Sequence, residues 1–262
     1  MANFNQADYS HVERIRDFDP EASDLDSYIS KLKVNKPSVS DVEIIKRAGP
    51  ISYLAVTDPE NPFQPHIMHR PDSVVVIPRI YTQKIEGVLD PEVHTLIGSK
   101  VFHYGGAIER PNFAAGGIDP SESVIDAALR EASVEEIPAV KAEYIRRAIF
   151  LGAEGDGSYN SIGGTTERSY RVLLDVVLPV GVDVMSLDGQ EGGGDHFDGS
   201  GKLTERESII VSRVEKLKHD LRDVVCGTSD KLGVFEALFE AEFELPEIPH
   251  SGDINHRPDF AL

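Results

Sequence analysis

The stretch Gly116-Gly-Ile-Asp-Pro-Ser-Glu-Ser-Val-Ile-Asp-Ala-Ala-Leu-Arg-Glu-Ala-Ser-Val-Glu-Glu136 decides the reading of this chain. Its apolar residues Ile125, Ala128, Leu129 and Ala132 recur at helical spacing, which predicts a helix over 120–136 with one buried face. Asp119 or Ser121 is placed to cap it and Pro120 suits a first-turn position. Glu122 follows Asp119 by three residues, as in a capping box. Glu131 and Glu135 stand four residues apart and so share one face of that helix. Two like charges at that spacing repel by a few tenths of a kcal/mol, roughly. A hard divalent cation between them reverses the sign, because carboxylate oxygen is its preferred ligand. Taken alone, the pair reads as an ordinary solvated helix face.

Upstream, Val42-Glu-Ile-Ile-Lys and Ile51-Ser-Tyr-Leu-Ala-Val read as strands separated by the turn signal Ala48-Gly-Pro50. The β-branched run 74–77 reads as a buried strand. Residues 81–112 are expected to form an insertion, with a strand near 100–104. Downstream, Tyr170-Arg-Val-Leu-Leu-Asp-Val-Val-Leu is a strand candidate ending at Pro179, and Ser208-Ile-Ile-Val-Ser a shorter one. The glycine- and aspartate-rich stretch 186–202 reads as a loop, and 214–225 and 232–243 as two amphipathic helices. Residues 1–41 are expected as an arm with a short helix near 24–32. A main domain over 42–243 and an extended tail over 244–262 complete the division.

The glutamate segment resembles the Nudix box. That pattern is a glycine, five residues, a glutamate, seven residues, Arg-Glu, an apolar residue, any residue and Glu-Glu. The spacing holds from Gly116 through Glu122, Arg130 and Glu131 to Glu135. Phe113-Ala-Ala-Gly116 is similar to the lead-in of the family's ADP-ribose pyrophosphatases. Val134 stands in place of the first paired glutamate and Ile137 in place of the closing glycine. In an α-helix, a slip of one residue to Glu136 would rotate the carboxylate by about 100°, which argues against that substitution.

Two later segments match the same subfamily in order. Ser161-Ile-Gly-Gly-Thr-Thr-Glu167-Arg168 resembles its Ser-Pro-Gly-Gly-Thr-Ser-Glu-Arg stretch, with Ile162 replacing the proline. Without the box upstream this would be an ordinary hairpin turn. Thr204-Glu205-Arg206-Glu207-Ser208 resembles the Glu-x-Glu that ends a long loop before a strand, and otherwise reads as a solvated acidic loop.

The resemblance implies an α/β fold, with a mixed β-sheet between helices and an N-terminal arm or small sheet that serves a homodimer. It further implies hydrolysis of a small-molecule nucleoside diphosphate derivative, foremost ADP-ribose to AMP and ribose 5-phosphate. Glu131, Glu135, the carbonyl of Ala115 and Glu207 would hold Mg2+, with Mn2+ as a substitute. Glu205 would be general base, with Glu207 as alternative. Arg130, supported by Glu122, would orient the helix. Arg79, Gly116, Ser161 and Glu167 would contact substrate, Arg79 at the phosphates and Glu167 at ribose hydroxyls. The alternatives are a catalytically degenerate module that binds nucleotide, and a hydrolase of another nucleotide sugar.

Composition narrows the rest. A formal charge of −19 with no basic stripe argues against nucleic acid as partner. No apolar run is long enough for a bilayer, and the opening residues lack the apolar core of a secretory signal. A single cysteine, Cys226, excludes an internal disulfide framework and a cysteine zinc cage. No membrane partner and a cytoplasmic home are therefore expected. His66-Ile-Met-His69 lacks further ligands for zinc, and no phosphate-binding Gly-x4-Gly-Lys-Ser/Thr or nucleophile elbow is present.

Overall fold

The computed structural model describes residues 8–20, 24–61, 63, 65–103, 108–137, 139–153, 157–159, 164–197 and 203–213. For 97–103, 108–112, 135–136, 159, 193–197 and 203–208 it describes the backbone alone.

Along the chain come β1 (Glu13–Ile15), α1 (Leu25–Asn35), β2 (Asp41–Ala48), β3 (Ile51–Thr57), β4 (His66–His69) and β5 (Ser73–Tyr81). Next are β6 (Gln83–Ile85), β7 (Val88–Leu89), β8 (His94–His103), β9 (Ile108–Asn112), β10 (Ala114–Gly117) and α2 (Val124–Arg130). After α2 follow a π-helical turn (Glu131–Glu136), β11 (Ile145–Phe150), β12 (Ser158–Tyr159), β13 (Arg168–Val177), β14 (Glu191–Phe197) and β15 (Leu203–Arg213).

The main sheet runs β1-β11-β13-β5-β8-β15-β14, with β10 on β5, β12 on β13 and β9 on β8. It is mixed: β13 is parallel to β5 and β1 to β11, and the other pairs are antiparallel. The fold is α/β. β5 and β13 are buried almost throughout, which explains their apolar runs at 74–77 and 172–174. On one face Val74, Val76 and Ile80 pack with Val172 and Leu174 beneath Ile125, Ala128, Leu129 and Ala132 of the helix. Each valine, leucine or isoleucine of this layer, fully withdrawn from water, contributes roughly 1.5–3 kcal/mol.

The N-terminal arm belongs to this layer. Phe18 meets Phe150 and Tyr170 edge-on, with ring centroids 4.9 and 5.6 Å apart. The Asp17 carboxylate accepts from Ile125 N and from Ser123 Oγ, so the arm clamps the start of α2. The separate β2-β3-β4 sheet is antiparallel, and Tyr28 of α1 stacks on His69 at its edge.

Several expectations are corrected. α2 begins at Val124 with Ser123 as cap, because Ser121 adopts φ 70° and interrupts the helix expected from 120. The Asp119–Glu122 half of the capping box still forms, Asp119 N donating to Glu122 Oε2 at 3.0 Å. Within 81–112, β8 lies between β5 and β15 in the main sheet and reaches into the strand expected near 100–104. Its partner β15 is distant in sequence, and local patterns do not reveal that pairing. The 186–202 stretch contains β14, since its backbone pairs with β15 despite three consecutive glycines. The arm 1–41 carries α1 and also the edge strand β1. The helices expected at 214–225 and 232–243, and the tail, lie outside the described residues.

Candidate active site

β10 pairs antiparallel with β5, with Ala115 opposite Val75 and Gly116 opposite Val74. This pairing carries the Gly116 backbone to the C-terminal end of α2. There the Glu131 carboxyl lies against the Gly116 Cα so closely that a Cβ would overlap it. Glycine is required here by close approach, not by backbone conformation. Glu131 is 3% exposed, and its Oε1 accepts from Arg130 Nη1 at 2.7 Å.

Arg130 ties the motif together. Its Nε and Nη2 each donate at 2.9 Å to the two oxygens of Glu122, and Nη2 also donates to the Gly117 carbonyl at 2.7 Å. This fork is the strong, planar form of an arginine–carboxylate contact. The Glu122 hydrogen bond, and the charge of Glu131 beside it, raise the Arg130 pKa further above its ordinary value. Gly116, Glu122, Arg130 and Glu131 therefore converge.

Beyond Arg130 the helix widens. Glu131–Glu136 forms a π turn, with Ile137 N donating to Ala132 O at 2.9 Å. Such turns occur disproportionately at functional positions. Cα atoms of β14 approach those of this turn within 8 Å. Glu205 of β15 pairs with His196 of β14, and Glu191 pairs with Ser208, the residue after Glu207. The second acidic segment is thus one strand away from the glutamate turn. The side chains of Glu135, Glu205 and Glu207 lie outside the described residues. Among the described residues, no group of three or more metal-ligating side chains is assembled.

The residues present fit a hard divalent cation. Glu131 offers carboxylate oxygen and lies against Gly116, next to Ala115, which is exposed on the same strand.

Arg79 requires a correction. Its Nε and Nη2 both lie 2.7 Å from Asp175 Oδ1, and the residue is 8% exposed. Arg147 holds the other oxygen, Nε at 2.8 Å and Nη2 at 2.6 Å. The three are in register across β11, β13 and β5, with Asp175 fully buried between two guanidinium groups. By the strand pleat, Arg79 faces away from the layer containing Val76, Ile80 and α2. Its Nε and Nη2 are engaged by Asp175 inside the sheet, where the resemblance implied a contact with substrate phosphates. Burial beside this cluster, with the charge of Asp175, pushes the Tyr81 hydroxyl up to about 12.

Ser161 lies outside the described residues. Glu167 is buried, with Oε2 3.1 Å from Arg70 Nε. Its segment docks on β4: Met68 N donates to Gly164 O, and Thr166 N donates to Met68 O. A groove of about 420 Å3 borders Gly164 and is lined by Ile45, Tyr53, His66 and Met68.

Three buried acids, Asp58, Asp72 and Asp175, escaped the sequence reading. Asp72 accepts from Arg168 N, Nε and Nη2, anchoring the Glu167-Arg168 segment to the start of β5. Asp175 is a lone acid within an apolar strand run, and that break in the pattern was its available signal. Asp72 had none.

No family profile matches the chain, and no curated protein matches it. Among solved structures, one described as "Crystal structure of ADP compounds hydrolase" is similar at 17% identity. The match covers 76% of this chain and 91% of that one, with a TM-score of 0.42. At those values the likeness bears on neither reaction nor substrate. Among the described residues no helix is long and apolar enough to cross a membrane.

Proposed function

We propose that this chain is a metal-dependent Nudix-type pyrophosphohydrolase that cleaves ADP-ribose to AMP and ribose 5-phosphate. The observation that carries this reading is the convergence of Gly116, Glu122, Arg130 and Glu131, with the Glu131 carboxyl seated on a glycine Cα. A purely solvated helix face would not bury its glutamate to 3% exposure or need a glycine opposite it.

Glu131, Glu135 and the Ala115 carbonyl would hold Mg2+ or Mn2+, with Glu207 approaching from β15. The bound cation supplies neutralisation of the diphosphate and polarisation of the attacking water. Arg130 fixes the orientation of Glu131 through its fork to Glu122. Glu205 accepts the proton of the water as it attacks phosphorus, and Glu207 is the alternative base. Glu167, held by Arg70, and Ser161 would face the ribose. The outer sheet β2-β3-β4, with Ile45 and Tyr53 exposed, would serve a homodimer.

Incubation with ADP-ribose and Mg2+, scored by AMP release, tests the reading, and loss of release in Glu131→Gln is the expected companion result. Binding of ADP-ribose without turnover would favour the second reading, a nucleotide-binding module, which Val134 in place of a motif glutamate supports. Turnover of a different nucleotide sugar alone would move the substrate assignment.

A further inference from the structure

The π turn changes which glutamates share a face. In an α-helix successive residues advance about 100°, so the third and fourth residues after Glu131 lie at about 300° and 40° from it. Those are the azimuths at which the motif carries its paired glutamates, and the third position here is Val134. A helix closed from i to i+5 has about 4.4 residues per turn and advances about 82° per residue. Its fourth and fifth residues then lie at about 330° and 50°. In the observed turn those are Glu135 and Glu136.

Two side-chain hydroxyls gather at the carbonyl that precedes the turn. Ser133 Oγ donates to Leu129 O at 2.9 Å, and Tyr9 OH donates to the same carbonyl at 3.2 Å. The two hydroxyls are also 2.6 Å from each other. A side-chain hydroxyl on the i−4 carbonyl competes with the α-helical ladder and loosens it. The Leu129 carbonyl lies just before the point where α2 gives way to the π turn.

We propose that the π turn absorbs Ser133 as an inserted residue and sets Glu135 and Glu136 in the two places of the motif pair. Glu136 thereby becomes a metal-holding carboxylate, and Val134 is no vacancy in the site. Omitting Ser133, the segment reads Arg-Glu-Ala-Val-Glu-Glu, the spacing of the box. The assignment rests on the metal reading above.

Manganese titration of the full chain, read by loss of the free Mn2+ paramagnetic resonance signal, tests it without reference to turnover. Glu136→Gln and Glu131→Gln should each weaken Mn2+ binding by about tenfold or more. Deletion of Ser133 should restore an α-helix with the same three carboxylates on one face and hold affinity within about threefold. Wild-type affinity in Glu136→Gln, with Glu131→Gln impaired, overturns this assignment and leaves the metal reading standing. No Mn2+ binding by the unaltered chain overturns both. Should the deletion fail to melt cooperatively, Glu136→Gln decides alone.

Discussion

The carboxyl of Glu131 occupies the space that a side chain on Gly116 would fill. A strand residue and a helix-end residue fifteen positions apart are thereby fitted to each other at atomic contact. Gly116→Ala must push Glu131 out of place or shift β10. Affinity for Mn2+ and release of AMP are expected to fall by about tenfold or more. The thermal midpoint should fall by only a few degrees, roughly, because overpacking at one strand end is partly relieved by side-chain movement. An alanine variant with unaltered Mn2+ titration would show that the contact has no bearing on the site.

Arg130 is bound by geometry as much as by charge. Lysine keeps the cation but lacks the fork that spans Glu122, Glu131 and the Gly117 carbonyl. The Arg130 side chain is 24% exposed, so the loss in stability of Arg130→Lys is expected to stay near 1–2 kcal/mol, roughly. AMP release should suffer more than stability. Urea unfolding beside a turnover assay checks the pair, and equal activity in the lysine variant would contradict the orienting role.

The Arg79–Asp175–Arg147 row predicts an asymmetry. Asp175→Ala leaves two buried guanidinium groups facing each other, with a cost of about 3–5 kcal/mol. Arg79→Met leaves a neutral Arg147–Asp175 pair and should cost clearly less. Chemical denaturation ranks the two. The reverse order, or a raised KM for ADP-ribose with undiminished stability in Arg79→Met, would return Arg79 to the substrate.

His94 gives stability a pH dependence. Burial, with Arg213 nearby, lowers its pKa from the ordinary 6.5, although Glu92 and Asp90 act in the opposite direction. The unfolded chain therefore binds the proton more tightly than the folded one. Stability from this residue should rise with pH between the lowered pKa and 6.5, and fall as pH drops through that window. Urea midpoints taken across the window should show a shallower slope in His94→Gln. An unchanged slope would assign the dependence elsewhere.

Local patterns carried much of this molecule. β-branched runs marked β5 and β13, the turn at Gly49-Pro50 marked the β2–β3 hairpin, and helical spacing marked α2. The motif residues Gly116, Glu122, Arg130 and Glu131 were legible because each acts through neighbours within fifteen positions. Such signals are written in propensity, periodicity and spacing, which operate over a few turns of chain.

What the sequence did not contain in readable form depends on partners far along it. The π turn involves Tyr9, 120 residues before Leu129, and Arg79 is occupied by Asp175, 96 residues away. The glycine-rich stretch is a strand because β15 pairs with it, and β8 is in the main sheet because β5 and β15 flank it. The sequence by itself determined the strands β2, β3, β5 and β13, the body of α2 and the spacing of Gly116, Glu122, Arg130 and Glu131 along the chain. Tertiary structure alone decided the seating of Glu131 on Gly116 and the pairing of Arg79 with Asp175, because both depend on groups that only folding brings together.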